Sequence, residues 1–128
     1  MSPRRLCLAL SALLALASPA GAQDTSALKK EMIGQWELAT TDRSKTCVVT
    51  MKEDSTAQGL KLELEPGCVK ALPFTKDITA WNIKGLDIVR MQDAAGQPVI
   101  DFTEVESGIF EGLRTGERVV ARGSFFLR

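Results

Sequence analysis

The chain has 128 residues, no His and no Tyr, and equal numbers of acidic and basic side chains. The lack of histidine removes the commonest general base and the commonest zinc ligand. The even scatter of Lys and Arg among Asp and Glu argues against a nucleic-acid surface. In chain order, the first element is a leader. Arg4 and Arg5 precede an apolar run from Leu6 to Ala17, and Ala20-Gly21-Ala22 ends it as an A-x-A cleavage signal. The run is too short to span a bilayer, so residues 1–22 read as a cleaved secretory signal peptide with no stable membrane anchor. Cleavage after Ala22 is expected to place the protein in the periplasm with Gln23 first. That segment would carry fourteen Lys and Arg against sixteen Asp and Glu, a net charge of −2.

Residues 23–33 read as a short N-terminal arm. Within it "ALKKEMIG" predicts one or two helical turns, with Ser26 as N-cap, Gly34 as the stop, and Leu28, Met32 and Ile33 on one face. From Gly34 onward the signals are those of strands. "QWELAT" alternates with Trp36 and Leu38 inward, "CVVTMKE" with Cys47, Val49 and Met51, and "LKLELE" with Leu60, Leu62 and Leu64. "EPGCVKALPFTKD" (residues 65–77) breaks the pattern and reads as a loop, possessing at most one helical turn, that crosses an end of the fold. "ITAWNI" and "LDIVRM" flank Lys84-Gly85, "PVIDFTEV" follows the turn "DAAGQ", and "GIFEGL" and "RVVARGSFFL" flank "RTGE".

About eight short strands in sequential hairpins, with no helix long enough for a crossover, predict an all-β fold. A sandwich and a closed up-and-down barrel both fit this pattern, and the sequential hairpins favour the barrel, which also removes exposed edges. The expected architecture is a small eight-stranded antiparallel up-and-down β-barrel spanning residues 34–128, carrying the arm. Large inward residues (Trp36, Met51, Leu62, Trp81, Phe102 and Phe110) point to a filled interior. Cys7 leaves with the leader. The remaining pair, Cys47 and Cys68, is expected to form a disulfide in an exported chain, worth about 3 kcal/mol for a loop of this length.

Catalytic chemistry is not visible. No free thiol remains, no serine lies in a G-x-S-x-G setting, and no P-loop, dinucleotide fingerprint or calcium loop occurs. Glu37, Glu63, Asp87, Asp101 and Glu111 alternate with apolar residues and read as the solvent face. The expectation is therefore a monomeric non-enzyme without metal or other cofactor. A short arm held extended on a rigid scaffold could serve as a binding device that loses little conformational entropy on binding, but composition alone favours a frayed terminus.

Gly34-Gln35-Trp36, the cysteine eleven residues after Trp36, and a second cysteine about twenty residues beyond it follow a known pattern. So does the later "AWNIKGLDIVRMQDAAGQPVIDFTEVESGIFEG", with its D-x-x-G turn from Asp93 to Gly96 and its strand carrying Phe102. In order and spacing these features resemble the Inh-type metalloprotease inhibitors, the alkaline proteinase inhibitor group, over nearly all of the chain after the leader. The resemblance implies an eight-stranded periplasmic barrel that inhibits secreted zinc metallopeptidases of the serralysin type. It implies an arm, here Gln23, Asp24, Thr25, Ser26 and Ala27, lying in the active-site cleft while barrel loops meet the rim. Gly34, Gln35 and Trp36 would form the arm–barrel joint, and Cys47–Cys68 would supply rigidity.

The arm has the family's length, but "QDTSALKK" departs from the small residues with which family members begin. A first residue Gln23 can cyclise to pyroglutamate and lose its α-amine, which would leave the Asp24 carboxylate as the nearest group able to reach a zinc ion. Two other readings stand beside this one: a lipocalin-like carrier of a small apolar ligand, which needs a hollow barrel, and a cell-envelope structural protein.

Overall fold

A computed structural model describes residues 25–123. The expected leader, Gln23, Asp24 and the final "SFFL" of the last predicted strand lie outside the described residues. The elements run α1 (Thr25–Met32), β1 (Gly34–Thr40), β2 (Thr46–Ser55), β3 (Leu60–Leu64), α2 (Cys68–Ala71), a 3₁₀ turn (Pro73–Asp77), β4 (Ala80–Lys84), β5 (Ile88–Gln92), β6 (Pro98–Glu106), β7 (Ile109–Arg114) and β8 (Glu117–Gly123). The strands close into one antiparallel barrel in sequence order, β8 pairing with β1. Closure gives every described strand a partner on both sides, although β3 and β4 share only the pairs Leu60–Trp81 and Lys61–Ala80.

Period-two alternation sets the interior. Trp36 and Leu38, then Cys47, Val49 and Met51, then Leu60 and Leu62 face inward as expected. Trp81, Phe102 and Phe110 are fully buried among them, so side chains fill the barrel. Turn chemistry sets the hairpins. Thr115 and Gly116, with φ of 49° and 86°, form the two-residue connection of "RTGE". Asp93 holds the β5–β6 turn by accepting from the backbone N–H groups of Ala95 and Gln97 at 2.9 and 2.8 Å.

Where β2 bends between Met51 and Ser55, the indole Nε1 of Trp81 donates to the carbonyls of Lys52 and Lys61, each at 3.0 Å. These bonds satisfy the buried indole N–H and tie Trp81 of β4 to both β2 and β3 beside the irregularity.

Alternating strand directions give the barrel two poles. One carries α1, the β2–β3 loop, the β4–β5 turn and the β6–β7 turn. The other carries the β1–β2 loop, the segment from 65 to 79, the β5–β6 turn and the β7–β8 turn. The segment 65–79 is more ordered than a plain loop, with one turn of α-helix followed by the 3₁₀ turn. The Cys47–Cys68 disulfide pins it to β2, with Cα atoms 4.9 Å apart.

Two expectations need correction. Glu37 points outward, as alternation requires, but is not solvated: it is 9% exposed, and both of its oxygens accept from Arg43 Nη2 at 2.7 Å. Arg43 takes a φ of 58° in the β1–β2 loop, and that loop folds its guanidinium back along the outside of β1. The other strand carboxylates keep the expected face, and each has a cation beside it: Asp101 with Arg90, Glu111 with Arg118, Glu63 with Lys52. Asp87 falls in the exposed β4–β5 turn.

The second correction concerns the arm. Thr25, Ser26 and Ala27 are the first turn of α1 rather than extended chain, so Ser26 lies inside the helix and is not its cap. Burial explains the longer helix: Leu28 and Met32, one helical repeat apart, both pack on the barrel core. Ile33 leaves that face and is 38% exposed.

Candidate functional site

The candidate site is the pole from which α1 emerges. Gly34 makes the join. Its φ of +126° is a backbone conformation that side-chain-bearing residues rarely adopt, and the space around it is open, so the demand is conformational and not steric. Gln35 is exposed and pairs with Thr50. Trp36 turns into the barrel, where its Nε1 donates to the Met32 carbonyl at 2.9 Å. That oxygen is one of the orphan acceptors at a helix C-terminus, so the indole fastens the helix end to the first strand. The ring itself is held edge-on against Phe110, centroids 5.3 Å apart and planes 83° apart, and its far edge lies over Gly123. The joint is thus a rigid seat that fixes where the helix begins and in which direction it runs.

Ser26 and Ala27 are exposed on the first turn, and Thr25 is half-buried. Lys29 and Lys30 occupy the last turn, where positive charge suits the helix dipole. The same pole carries Leu86, 72% exposed at the tip of the β4–β5 turn, along with Ile33. Of the five large apolar residues exposed among the described residues, Ile33, Leu86 and Val105 lie toward this pole.

One electrostatic feature of this pole has no counterpart in the expected site. Glu31 on α1 faces Glu104 on β6, and its carboxyl is raised above its ordinary value of 4.5, first by burial and then by the Glu104 charge. Glu104 is itself tied down by accepting from the Gly108 N–H at 3.1 Å. The pair joins residues 73 positions apart on elements of different type, and only the fold brings them together.

The structure therefore gathers Thr25, Ser26 and Ala27 with Gly34, Gln35 and Trp36 at one pole. It puts the Cys47–Cys68 bridge at the other. The bridge steadies the barrel as a whole and does not touch the helix. Among the described residues no group of His, Cys, Asp or Glu is arranged to hold a metal ion. Among the described residues Trp81, Phe102 and Phe110 occupy the barrel interior, which fits a filled barrel better than the hollow one that a lipocalin-like carrier requires.

Comparison with known proteins agrees with this geometry. No curated protein matches the sequence closely enough to be significant. Among solved structures, the crystal structure of a psychrophilic marine protease MP inhibitor shares the fold with a TM-score of 0.57 at 20% identity, covering 74% of this chain and 97% of that one. The family model described as "Protease inhibitor Inh" matches residues 26–122. That span takes in the helix, the joint, both cysteines and all eight strands nearly to their end, and the chain belongs to the Inh protease inhibitor family.

Proposed function

We propose that this protein is exported, loses residues 1–22, and in the periplasm inhibits a secreted zinc metallopeptidase of the serralysin type. Gln23 to Ala27 enter the active-site cleft, and the pole of the barrel around Ile33 and Leu86 rests on its rim. The protein acts as a monomer by steric occlusion and needs no cofactor. Family membership supports the inhibitor role. The observation that carries the arm mechanism is the seat at Trp36: a helix anchored by one buried hydrogen bond presents its exposed first turn in a fixed direction from a filled, disulfide-bonded barrel. Such a scaffold lowers the ordering cost that a free peptide inhibitor would bear.

With Thr25 to Ala27 helical, Gln23 and Asp24 are left to reach furthest, followed by the helix tip. A carboxylate at Asp24 is suited to a cationic metal at the bottom of a cleft.

The test uses the protein beginning at Gln23 and a variant lacking Gln23–Ala27, each assayed against zinc, serine and cysteine proteases. Inhibition of zinc enzymes is expected, with an inhibition constant about 30-fold or more weaker in the variant, as for loss of a central interface anchor. Equal potency of the two proteins would sink the arm mechanism. Failure to inhibit any class would remove the metallopeptidase reading. Fractionation and mass measurement of the purified protein check the export and cleavage.

A further inference from the structure

The pole opposite α1 holds a cavity of about 480 Å³ between three segments distant in sequence: the β1–β2 loop, the residues around the start of the 3₁₀ turn, and the β7–β8 hairpin. It borders the barrel core, since Leu72 and Val119 line it and belong to that core. Its size falls in the range of small-molecule sites. Leu72, Pro73 and Phe74 give it one apolar wall, with Val119 beside them, and Lys45, Arg114 and Arg118 bring three cations to it.

Two carboxylates, Asp42 and Glu117, stand at its border. Asp42 accepts at one oxygen from Thr40 Oγ1 (2.8 Å), Ser44 N (3.0 Å) and Ser44 Oγ (2.8 Å), and these bonds hold its carboxyl down to about 2. Glu117 stands across the hairpin from Arg114 in the strand register, and Arg118 leans away toward Glu111 at 3.5 Å. Lys45 makes no ion pair among the described residues. Arg114 Nε is shielded from solvent and has no hydrogen-bond partner among them, an uncommon state for a charged group's donor.

We infer that this cavity is a binding site for a small organic monocarboxylate with an apolar body, the carboxylate meeting Lys45 and Arg114 and the body lying on Leu72 and Phe74. Each half of the site calls for one half of such a ligand. An apolar molecule alone would leave the cations without a counter-charge, and a bare anion would leave the apolar wall wet. With Arg118 turned to Glu111, Lys45 and Arg114 are the two lining cations without an ion pair among the described residues, and one carboxylate group can meet both. The site is independent of protease inhibition, since it sits at the pole away from the arm.

The test is an NMR titration of the isotopically labelled protein beginning at Gln23 with octanoate, with acetate and with 1-octanol, and no protease present. Octanoate is expected to move the amide signals of Lys45, Phe74 and Thr115, and to bind at least about tenfold more tightly than either half-ligand. Lys45→Gln and Arg114→Gln should each weaken octanoate by about tenfold, while Lys61→Gln, on the outer face of β3, should not. Lys45 is exposed, so its variant keeps the fold and decides the matter even if Arg114→Gln disturbs it. The proposal is overturned if no signal moves up to about 5 mM, if octanol or acetate binds as tightly as octanoate, if the shifts centre on Ile33 and Leu86 instead, or if Lys45→Gln leaves the affinity unchanged.

Discussion

Single side chains decide how firmly α1 is held. Trp36→Phe keeps most of the apolar bulk but withdraws the donor from the Met32 carbonyl. The expected loss is about 1–3 kcal/mol, mostly the cost of an orphaned buried acceptor. Hydrogen exchange in α1 should accelerate more than exchange in β4 to β7, and denaturant melts give the magnitude. Glu31 acts in the opposite sense. Its raised value means that the folded chain disfavours the carboxylate, through burial and through Glu104. The wild-type protein is therefore penalised at neutral pH and recovers stability as the pH falls through that raised value. Glu31→Gln should melt at a higher temperature at pH 7, and the gap should close as the pH drops to the ordinary 4.5 and below. A lower melting temperature for the variant at neutral pH would contradict this account. Neither Glu31 nor Glu104 stands out in the sequence, since each sits in a polar stretch and their meeting depends on where the helix docks.

Secondary elements were readable to the extent that their signals are local. The alternation in "QWELAT" and "LKLELE" and the turn in "RTGE" specify strands and a hairpin whatever surrounds them. The start of α1 was less readable, because what extends it back to Thr25 is the docking of Leu28 and Met32 on a core built from residues far along the chain. Glu37 was misplaced for a similar reason: alternation put it outside correctly, but the loop that brings Arg43 over it depends on a left-handed backbone that no local residue type announced. The β7–β8 turn offers an element-level check. Thr115 is β-branched at a φ of 49°, a conformation that Asn tolerates better. Thr115→Asn should raise stability by about 0.5–1 kcal/mol, read from denaturant midpoints at constant slope.

For the molecule as a whole, the disulfide ties residues 21 positions apart at the pole away from the helix. A Cys47→Ala/Cys68→Ala variant should lose about 3 kcal/mol while folding to the same barrel, a large share of what a domain this small retains. If Trp36 alone governs the helix, that variant should inhibit as well as the native protein at temperatures where both are folded; a selective loss of inhibition would show that rigidity reaches across the barrel. The barrel as an architecture was legible because eight strands in sequential hairpins leave few other ways to bury one face of each. The cavity at the far pole was not, since its walls come from residues near 42, 73 and 116, and no one stretch of sequence contains as much as half of it.

An even number of strands in an up-and-down circuit returns the chain to its starting pole: Gly123, the last residue of β8, pairs with Trp36, two places after the first residue of β1. The start of β1 and the end of β8 are therefore neighbours, so a linker that spans the length of α1 can join Gly123 to Thr25 in a circular permutant. Linking them and opening the chain in the β1–β2 loop moves both termini to the other side of the barrel without altering a single inward-facing residue. Such a protein keeps the helix and the rim around Leu86 but has no chain end there. Comparing it with the native protein separates a requirement for a terminus in the cleft from a requirement for surface shape.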